Sequence, residues 1–317
     1  MTSNRLRPWA GAVGAVGATA VAWAVGVERR WYALRHVTIP VLAPTAVQPL
    51  RVLHLSDLHQ LPNQQHRLAF VRRCLDAGPD MIVVTGDLLE SDDSIDEVVE
   101  VLSDAVHDRV GLAVLGAHDY WGATARNPAD YLFAPDRRRY GRRLDTQRLV
   151  DGLSGAGYEI VDNQRLSVKT PAGLIDVAGL GDPHVDLDDP TVVDWSSPLQ
   201  DVALRLGLVH APYRRSLDVF SFHGFDLVLC GHTHGGQLRV PFAGALVNNS
   251  DLPLRQSRGL SRYGDAWLHV SAGLGHSRFA PLRFSCRPEA TIIDLVRHSQ
   301  SGRLPLHPLH RDVAQLG

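Results

Sequence analysis

This chain has few cysteines and no excess of basic charge. It has three cysteines in 317 residues and a formal net charge of −2. Cys74, Cys230 and Cys286 are scattered with no C-x-x-C pair, which argues against a disulfide framework and a thiolate zinc site. A near-neutral charge gives no electrostatic reason to expect a nucleic acid as partner. With 44% hydrophobic and 21% charged residues, the composition is that of an ordinary globular protein of one large domain or two small ones.

Internal repeats and strongly hydrophobic runs are lacking as well. Residues 9–27 carry no charge and are long enough to span a bilayer, but they are mostly Ala and Gly. An uncleaved membrane anchor is the favoured interpretation, and a cleaved signal peptide or a soluble helix are the alternatives. We therefore expect a membrane-associated protein, or an exported one if the segment is cleaved. Basic residues flank both sides of the segment, so its orientation stays open.

The chain divides into four predicted segments. Residues 1–35 hold the N-terminal helix, 36–49 contain three prolines and are predicted as an extended linker, and 298–317 form a polar tail. Between them, residues 50–297 alternate apolar strand-like runs with amphipathic helical ones, which predicts a layered α/β domain. Residues 158–170 are predicted to form a β-hairpin within it.

Five of the strand-like runs end in side chains that bind metals or transfer protons. Since the carboxyl ends of strands meet at one edge of an open α/β sheet, we expect these side chains to converge. An aspartate after one strand is often only a turn residue or a helix cap, but five such endings are hard to explain as turns. The residues are Asp57, His59, Asp87, His118, Asp119, His210, His232 and His234.

The side-chain types in this set favour a two-metal site. Residues two apart on an extended backbone point the same way, so His232 and His234 are expected to face one point, and Asp57 and His59 repeat that spacing. Carboxylate and imidazole without thiolate suit Mn, Fe or Zn. Two ions about 3.5–4 Å apart clamp the attacking and leaving oxygens of an in-line displacement. They also lower the pKa of bound water, so that hydroxide is available near neutral pH.

The order of these motifs resembles the calcineurin-like metallophosphoesterase superfamily over about residues 50–297. The Gly-Gly-Gln that follows His234, with the N-terminal apolar segment, looks most like its membrane-associated bacterial branch. The resemblance implies a four-layer α/β/β/α fold. It also implies hydrolysis of a phosphoester, such as a phosphodiester or a lipid-linked pyrophosphate, by metal-activated hydroxide. The matching blocks are Asp57-Leu58-His59, Gly86-Asp87, Gly116-Ala117-His118-Asp119, His210 and Gly231-His232-Thr233-His234.

The resemblance further implies a role for each residue. His118 would protonate the leaving oxygen or stabilise charge on the phosphoryl group, and Asp119 would orient it. The first ion would be held by Asp57, His59 and His234, the second by His210 and His232, with Asp87 as the bridge.

One position departs from the family pattern. Ala117 stands where the family has an Asn ligand for the second ion, and a methyl group cannot coordinate a metal. Three outcomes are open: water fills the gap and the second ion binds weakly, His118 becomes a ligand, or one ion binds and the protein is a poor enzyme. The rival function is therefore a metal-binding pseudoenzyme with a scaffolding or regulatory role.

Other residues carry weaker indications. His184 and His276 are candidates for substrate contacts. Arg278 and Arg283 are either exposed charges, the favoured interpretation, or bidentate contacts to a phosphate. Residues 119–145 form a long insertion beside the predicted site, either a substrate-facing lid or a plain surface loop. The sequence does not predict the oligomeric state.

Overall fold

Short apolar runs rich in Val, Ile and Leu form the strands, and amphipathic segments form the helices between them. The computed structural model describes residues 7–124, 140–196, 201–298 and 311–312. The helices are α1 (Arg7–Gly26), α2 (Gln65–Cys74), α3 (Ile95–Val106), α4 (Ala117–Tyr120), α5 (Thr146–Ala156) and α6 (Arg214–Phe222).

The strands make two large sheets and one small hairpin. They are β1 (Ala33–Leu42), β2 (Leu50–Leu55), β3 (Met81–Thr85), β4 (Val110–Val114), β5 (Tyr158–Ile160), β6 (Gln164–Thr170), β7 (Gly173–Leu180), β8 (Leu204–Val209), β9 (Leu227–Cys230), β10 (Arg239–Val240), β11 (Gly244–Ala245), β12 (Gly259–Tyr263), β13 (Ala266–Val270), β14 (Glu289–Arg297) and β15 (Arg311–Asp312). The first sheet has the order β15-β1-β14-β2-β3-β4-β5, the second β12-β13-β9-β8-β7-β6, and β10 pairs with β11.

The strands that carry the site run parallel within each sheet. In the first sheet β2 pairs with β3 and β3 with β4 in parallel, and in the second β8 pairs with β9 in the same way. Their carboxyl ends therefore lie together at one edge of each sheet, as the sequence predicted.

Three buried apolar clusters hold the layers together. Val83 and Leu229 belong to the cluster between the two sheets. Leu68 of α2, Val101 of α3 and Leu149 of α5 belong to the cluster on the outer face of the first sheet. Phe220 of α6 packs in the third cluster, on the outer face of the second sheet. The layers follow the order helices, sheet, sheet, helix, which confirms the predicted layered α/β domain.

The predicted linker and tail take part in the first sheet. β1 lies inside residues 33–42 and pairs in parallel with β14, so the first half of the expected linker over 36–49 is a strand. Pro40 is tolerated there because the ladder shifts register directly after it, where the missing N–H costs little. Arg311 and Asp312 of the expected polar tail pair with the other edge of β1.

The predicted hairpin over 158–170 is wrong. β5 pairs with β4 in the first sheet, whereas β6 pairs with β7 in the second. The chain crosses between the sheets because Val161 is buried in the core between them. The carboxylate of Asp162 also accepts a hydrogen bond from the backbone N–H of Leu115, which fixes the crossing point at the end of β4.

The N-terminal apolar segment forms α1, close to the predicted range of 9–27. Within the described residues, no helix is both long and apolar enough to cross a bilayer.

Truncating a side chain between the sheets tests this packing. Leu229 is fully buried, so Leu229→Ala removes apolar contacts and leaves a cavity. We expect it to lower the free energy of unfolding by about 2–5 kcal/mol. Urea denaturation followed by circular dichroism measures the loss. The control Leu254→Ala changes a leucine that is 45% exposed and is expected to cost well under about 1 kcal/mol; equal losses would contradict the assigned core.

Candidate metal centre

The backbone turns sharply where the site strands end. Five of the predicted ligands have positive φ, a region that residues other than glycine rarely adopt. The expected extended backbone at the two ligand pairs is therefore wrong: both pairs lie in turns after the strands end. Such strain costs about 1–3 kcal/mol per residue and collects at functional sites, where the surrounding structure fixes it. The angles are 50° for Asp57, 44° for His59, 53° for Asp87, 67° for His232 and 49° for His234.

These turns bring carboxylates and imidazoles together in three overlapping sets. Within each set the candidate ligand atoms lie within 4.8 Å of one another. The third set places His118 with His59 and Asp87. The sets are Asp57, His59 and His234; Asp87, His210 and His232; and His59, Asp87 and His118.

The carboxylate of Asp87 lies between the first two sets. Its Oδ2 atom is 3.5 Å from Nε2 of His59 and 3.3 Å from Nε2 of His210. Its other oxygen, Oδ1, accepts a hydrogen bond of 2.8 Å from the backbone N–H of His118. One carboxylate oxygen facing a histidine of each set is the arrangement that a bridging ligand requires.

The buried donor atoms fit divalent cations. His210 donates through Nδ1 to the carbonyl oxygen of Thr85 at 2.5 Å, which leaves Nε2 to face Asp87. Among the described residues this buried Nε2 makes no well-aligned hydrogen bond, although Oδ2 of Asp87 lies 3.3 Å away, and a buried polar group without one costs about 1–3 kcal/mol unless something satisfies it. His59 donates through Nδ1 to Glu90 at 2.7 Å and likewise turns its Nε2 to the cluster. Nitrogen and carboxylate donors of this kind suit Mn, Fe or Zn.

Electrostatics separate the histidines into two kinds. Burial lowers the pKa of His232 and His234 well below the ordinary value, and neighbouring histidines lower it further, so both rings are neutral and ready to bind a metal. Burial also opposes charge on His210, but attraction by Asp87 and Asp182 raises its pKa well above the usual range. A proton on His210 and a metal ion therefore compete for the same carboxylate, and metal binding is expected to release protons.

A line of buried hydrogen bonds leads from the second sheet to Asp57. The links are 3.0 Å from His269 to His54, 2.9 Å from His54 to Thr85, 2.8 Å from Thr85 to Ser56 and 2.6 Å from Ser56 to Oδ2 of Asp57. Since the carboxylate only accepts, each hydroxyl must donate toward it, and His54 must donate through Nε2 to Thr85. Burial lowers the pKa of His54 well below its usual value, in keeping with a neutral ring.

Two motif glycines are required by close approach to the carboxylates. A Cβ atom on Gly231 would collide with Oγ of Ser56 and with Asp57. A Cβ atom on Gly116 would collide with Oδ1 of Asp87 and with the ring of His210. The absence of a side chain at both positions lets the two sheets bring their ligands together.

Three aspartates, of which Asp119 and Asp182 are buried and Asp162 is half-buried, hold α4, which carries Ala117 and His118. Asp119 accepts from the backbone N–H groups of Gly116 and Leu88, at 2.9 and 2.7 Å. Asp182 accepts from the N–H of Ala117 at 2.9 Å, and Asp162 accepts from the hydroxyl of Tyr120 at 3.0 Å. Burial raises the pKa of all three, to about 7 for Asp119 and Asp162 and about 6 for Asp182.

The contacts of Asp119 differ from the expected role of orienting His118. Its carboxylate binds backbone amides, whereas the carboxylate beside the ring of His118 is Glu90, with Oε1 3.7 Å from Nδ1. Asp119 therefore fixes the backbone at Gly116 and Leu88, and Glu90 lies next to both His59 and His118.

The metal cluster forms one wall of a cleft with a volume of about 150 Å³. Ala117, His118 and His184 line it, and Nδ1 of His184 contacts the hydroxyl of Tyr213 at 3.0 Å. His276 is buried, its Nδ1 contacts the carbonyl oxygen of Ser277, and burial lowers its pKa to about 3. Ser277 lines the cleft.

The described ends of the insertion over 119–145 also reach the cleft. Trp121 and Thr124 line it on one side of the insertion and Tyr140 on the other. The rings of Trp121 and Tyr140 are 4.8 Å apart. Residues 125–139, the middle of the expected lid, lie outside the described residues.

Sequence reasoning missed several residues around the ligands. Glu90 follows Asp87 by three residues and holds His59. Asn249 contacts Nε2 of His232 through its main-chain oxygen at 3.0 Å and its side-chain nitrogen at 3.1 Å. The interpretation of Arg283 as an exposed charge is wrong: the side chain is fully buried and donates to the carbonyl oxygens of residues 272 and 275 and to Nδ1 of His234.

Comparison with known proteins decides the family. Residues 50–236 match the sequence profile of the calcineurin-like phosphoesterases. The chain belongs to that family. It is therefore a phosphoric ester hydrolase, and membership implies divalent metal ions, for which the Asp and His cluster supplies the ligands.

Named relatives of this phosphoesterase cover most of its length. Phosphodiesterase YaeI of Escherichia coli is 29% identical over 279 residues, which are 85% of this chain and 90% of the relative. UDP-2,3-diacylglucosamine pyrophosphatase LpxG of Chlamydia trachomatis is 26% identical over 289 residues, 77% of this chain and 83% of the relative. Among solved structures, purple acid phosphatase PPD1 of yellow lupin aligns with a TM-score of 0.41 at 10% identity, over 82% of this chain and 56% of that one.

Removing the charge of Asp87 should empty the metal site of this phosphoesterase. Asp87 faces histidines of both sets, so Asp87→Asn is expected to lower bound Mn²⁺ from about two ions per chain to less than one. Equilibrium dialysis followed by elemental analysis gives the count. Asp265→Asn, in a β-turn far from the ligands in sequence, serves as the control. Full metal content in Asp87→Asn would disprove the bridge.

Breaking the hydrogen-bond line should loosen Asp57. Ser56→Ala removes the 2.6 Å hydrogen bond to the carboxylate while keeping all metal-binding side chains. We expect a loss of about 10–100-fold in Mn²⁺ affinity, the usual effect of losing a partner that orients a ligand. Calorimetric titration measures it, with Ser196→Ala at an exposed position as control. Equal affinities in the two variants would show that Asp57 is held by other contacts.

Proposed function

We propose that this protein hydrolyses a phosphodiester or a lipid-linked pyrophosphate, using two divalent ions bridged by Asp87. The observation that carries this proposal is the position of Oδ2 of Asp87 between His59 and His210, at one wall of the cleft. The printed activities of the two relatives, a phosphodiesterase and a pyrophosphatase, support the reaction class.

The residues of the cluster would have distinct roles in metal binding and in proton transfer. Asp57, His59 and His234 would hold one ion and His210 and His232 the other. Bound divalent ions supply positive charge that stabilises the phosphoryl oxygens in the transition state. His118, whose side chain is 26% exposed at the cleft, donates a proton or a hydrogen bond to the leaving or phosphoryl oxygen. Ser56, Glu90 and the buried carboxylates of Asp119 and Asp182 keep these groups in place.

Ala117 need not abolish the second ion. Its methyl group lines the cleft, and its N–H is held by Asp182. His118 groups with His59 and Asp87, so it does not replace the missing ligand beside His210 and His232. We therefore favour a water ligand at this gap and a weak but working second ion over the pseudoenzyme alternative.

Restoring the family's ligand tests this interpretation. Hydrolysis of bis(p-nitrophenyl) phosphate with added Mn²⁺ is measured for the wild type and for Ala117→Asn. We expect the variant to need about tenfold less Mn²⁺ for half-maximal rate, because it gains one protein ligand. Ala123→Asn, which changes another alanine of the cleft wall, is the control. No hydrolysis by the wild type or by Ala117→Asn at any Mn²⁺ concentration would favour the pseudoenzyme.

A substrate panel separates the two proposed substrate classes. One relative is named for an acylated nucleotide sugar pyrophosphate, which favours an acylated substrate here. Turnover of UDP-2,3-diacylglucosamine is compared with turnover of the same compound without acyl chains and of soluble phosphodiesters. A preference for the acylated compound supports the lipid-linked class, and a preference for soluble phosphodiesters opposes it.

A further inference from the structure

The β10–β11 hairpin exposes an unusually apolar tip. Surface turns are normally rich in Gly, Asn, Asp and Ser, but residues 240–243 here read Val-Pro-Phe-Ala and all four are exposed. Phe242 is 112% exposed and has φ 68°, a rare conformation for a bulky residue. Leu238 and Leu246, on the two arms of the hairpin, are exposed as well.

This tip continues into a wider apolar surface. Leu238 forms a β-bridge with Phe284, and Phe284 lines one groove together with Ala20 and Trp23 of α1. The residue before Phe284 is also tied to α1, because the N–H of Arg283 donates to the carbonyl oxygen of Ala24 at 3.2 Å. We call this surface the apolar platform. Its exposed members are Val21, Trp23, Leu238, Val240, Phe242, Leu246 and Phe279.

Within the segments that build the apolar platform, the exposed charge is basic. Asp and Glu make up 34 of the 317 residues, yet none lies in residues 17–27, 233–250 or 270–288. The carboxylate of Glu28, beside Trp23, is buried and accepts hydrogen bonds from Nε1 of Trp23 and from the N–H of Cys286. Arg278 is exposed beside the ring of Phe279, 5.4 Å from its centre. Basic groups around an apolar surface complement anionic lipid headgroups, and Trp23 is of the type that prefers the boundary between lipid and water.

The apolar platform adjoins the cleft. Gly236 and Gln237 directly precede the hairpin, Val247 and Asn249 directly follow it, and all four line the cleft. The hairpin therefore rises from the cleft wall.

We propose that the apolar platform docks this protein on the surface of an anionic lipid bilayer, with Phe242 inserted and the cleft held at the level of the headgroups. A projecting apolar tip inserts into a fluid acyl layer without a matching pocket, whereas a protein partner would have to supply one. Area buried in the acyl layer and attraction to anionic headgroups together determine the strength of such docking. This docking is independent of which phosphoester is hydrolysed.

Binding of the full-length protein to vesicles tests the proposal. Vesicles of phosphatidylcholine with phosphatidylglycerol are sedimented with wild type, with Phe242→Ser and with Phe242→Ser/Phe279→Ser. We expect the wild type to bind them more tightly than pure phosphatidylcholine, and each serine to weaken binding by about tenfold, since a phenyl ring leaves the acyl layer. Phe222→Ser, which changes a phenylalanine that is 85% exposed on α6, is the control and should bind like the wild type.

The outcomes separate docking from catalysis. Hydrolysis of bis(p-nitrophenyl) phosphate should be unchanged in Phe242→Ser, so loss of vesicle binding with intact hydrolysis supports docking whatever the natural substrate is. Absence of vesicle binding by the wild type, or equal weakening by Phe222→Ser, overturns it. A dimer of the wild type that Phe242→Ser dissociates, without vesicle binding by either, would assign the platform to contact between two copies instead.

Discussion

A buried carboxylate facing several histidines is the constraint on which the rest of the structure depends. Burial raises the pKa of an aspartate, but attraction by His210, His118 and His59 lowers the pKa of Asp87 well below its usual range. The charge is therefore retained in the interior, between two groups of nitrogen donors. A buried charge of this kind is tolerated only when it is paired or coordinates a metal. Asp87 follows a strand of the first sheet and His210 a strand of the second, so the pairing requires both sheets.

The surroundings of the cluster show how that charge is kept in place. Two glycines leave room where the sheets approach, and five ligands accept strained backbone angles. Three ligands are hydrogen-bonded to groups that lie outside the metal site: Asp57 to Ser56, His59 to Glu90, and His210 to the main-chain carbonyl of Thr85. These three ligands are thus oriented by partners that do not themselves bind the metal, as is usual around metal sites.

The sequence predicted the ligands because they obey a single local rule, a polar residue directly after an apolar strand. The same rule would have found Asp162 and Asp182, which follow β5 and β7, had the first not been assigned to a hairpin turn. Glu90 and Asn249 obey no such rule, since only the folded chain brings them to their histidines. The strand β1 was missed because the three prolines of residues 36–49, one of them within β1, indicate a linker, and its partner β14 lies more than 250 residues away. The apolar hairpin of the platform was not predicted either, because strands of two residues are too short to show an alternating pattern of apolar and polar residues.

Anomalous diffraction from a crystal soaked in Mn²⁺ tests the central claim most directly. Two anomalous peaks are predicted, one on each side of the Asp87 carboxylate, the first within ligand distance of His59 and the second of His210. Peaks absent from both positions, or lying away from Asp87, would contradict the account.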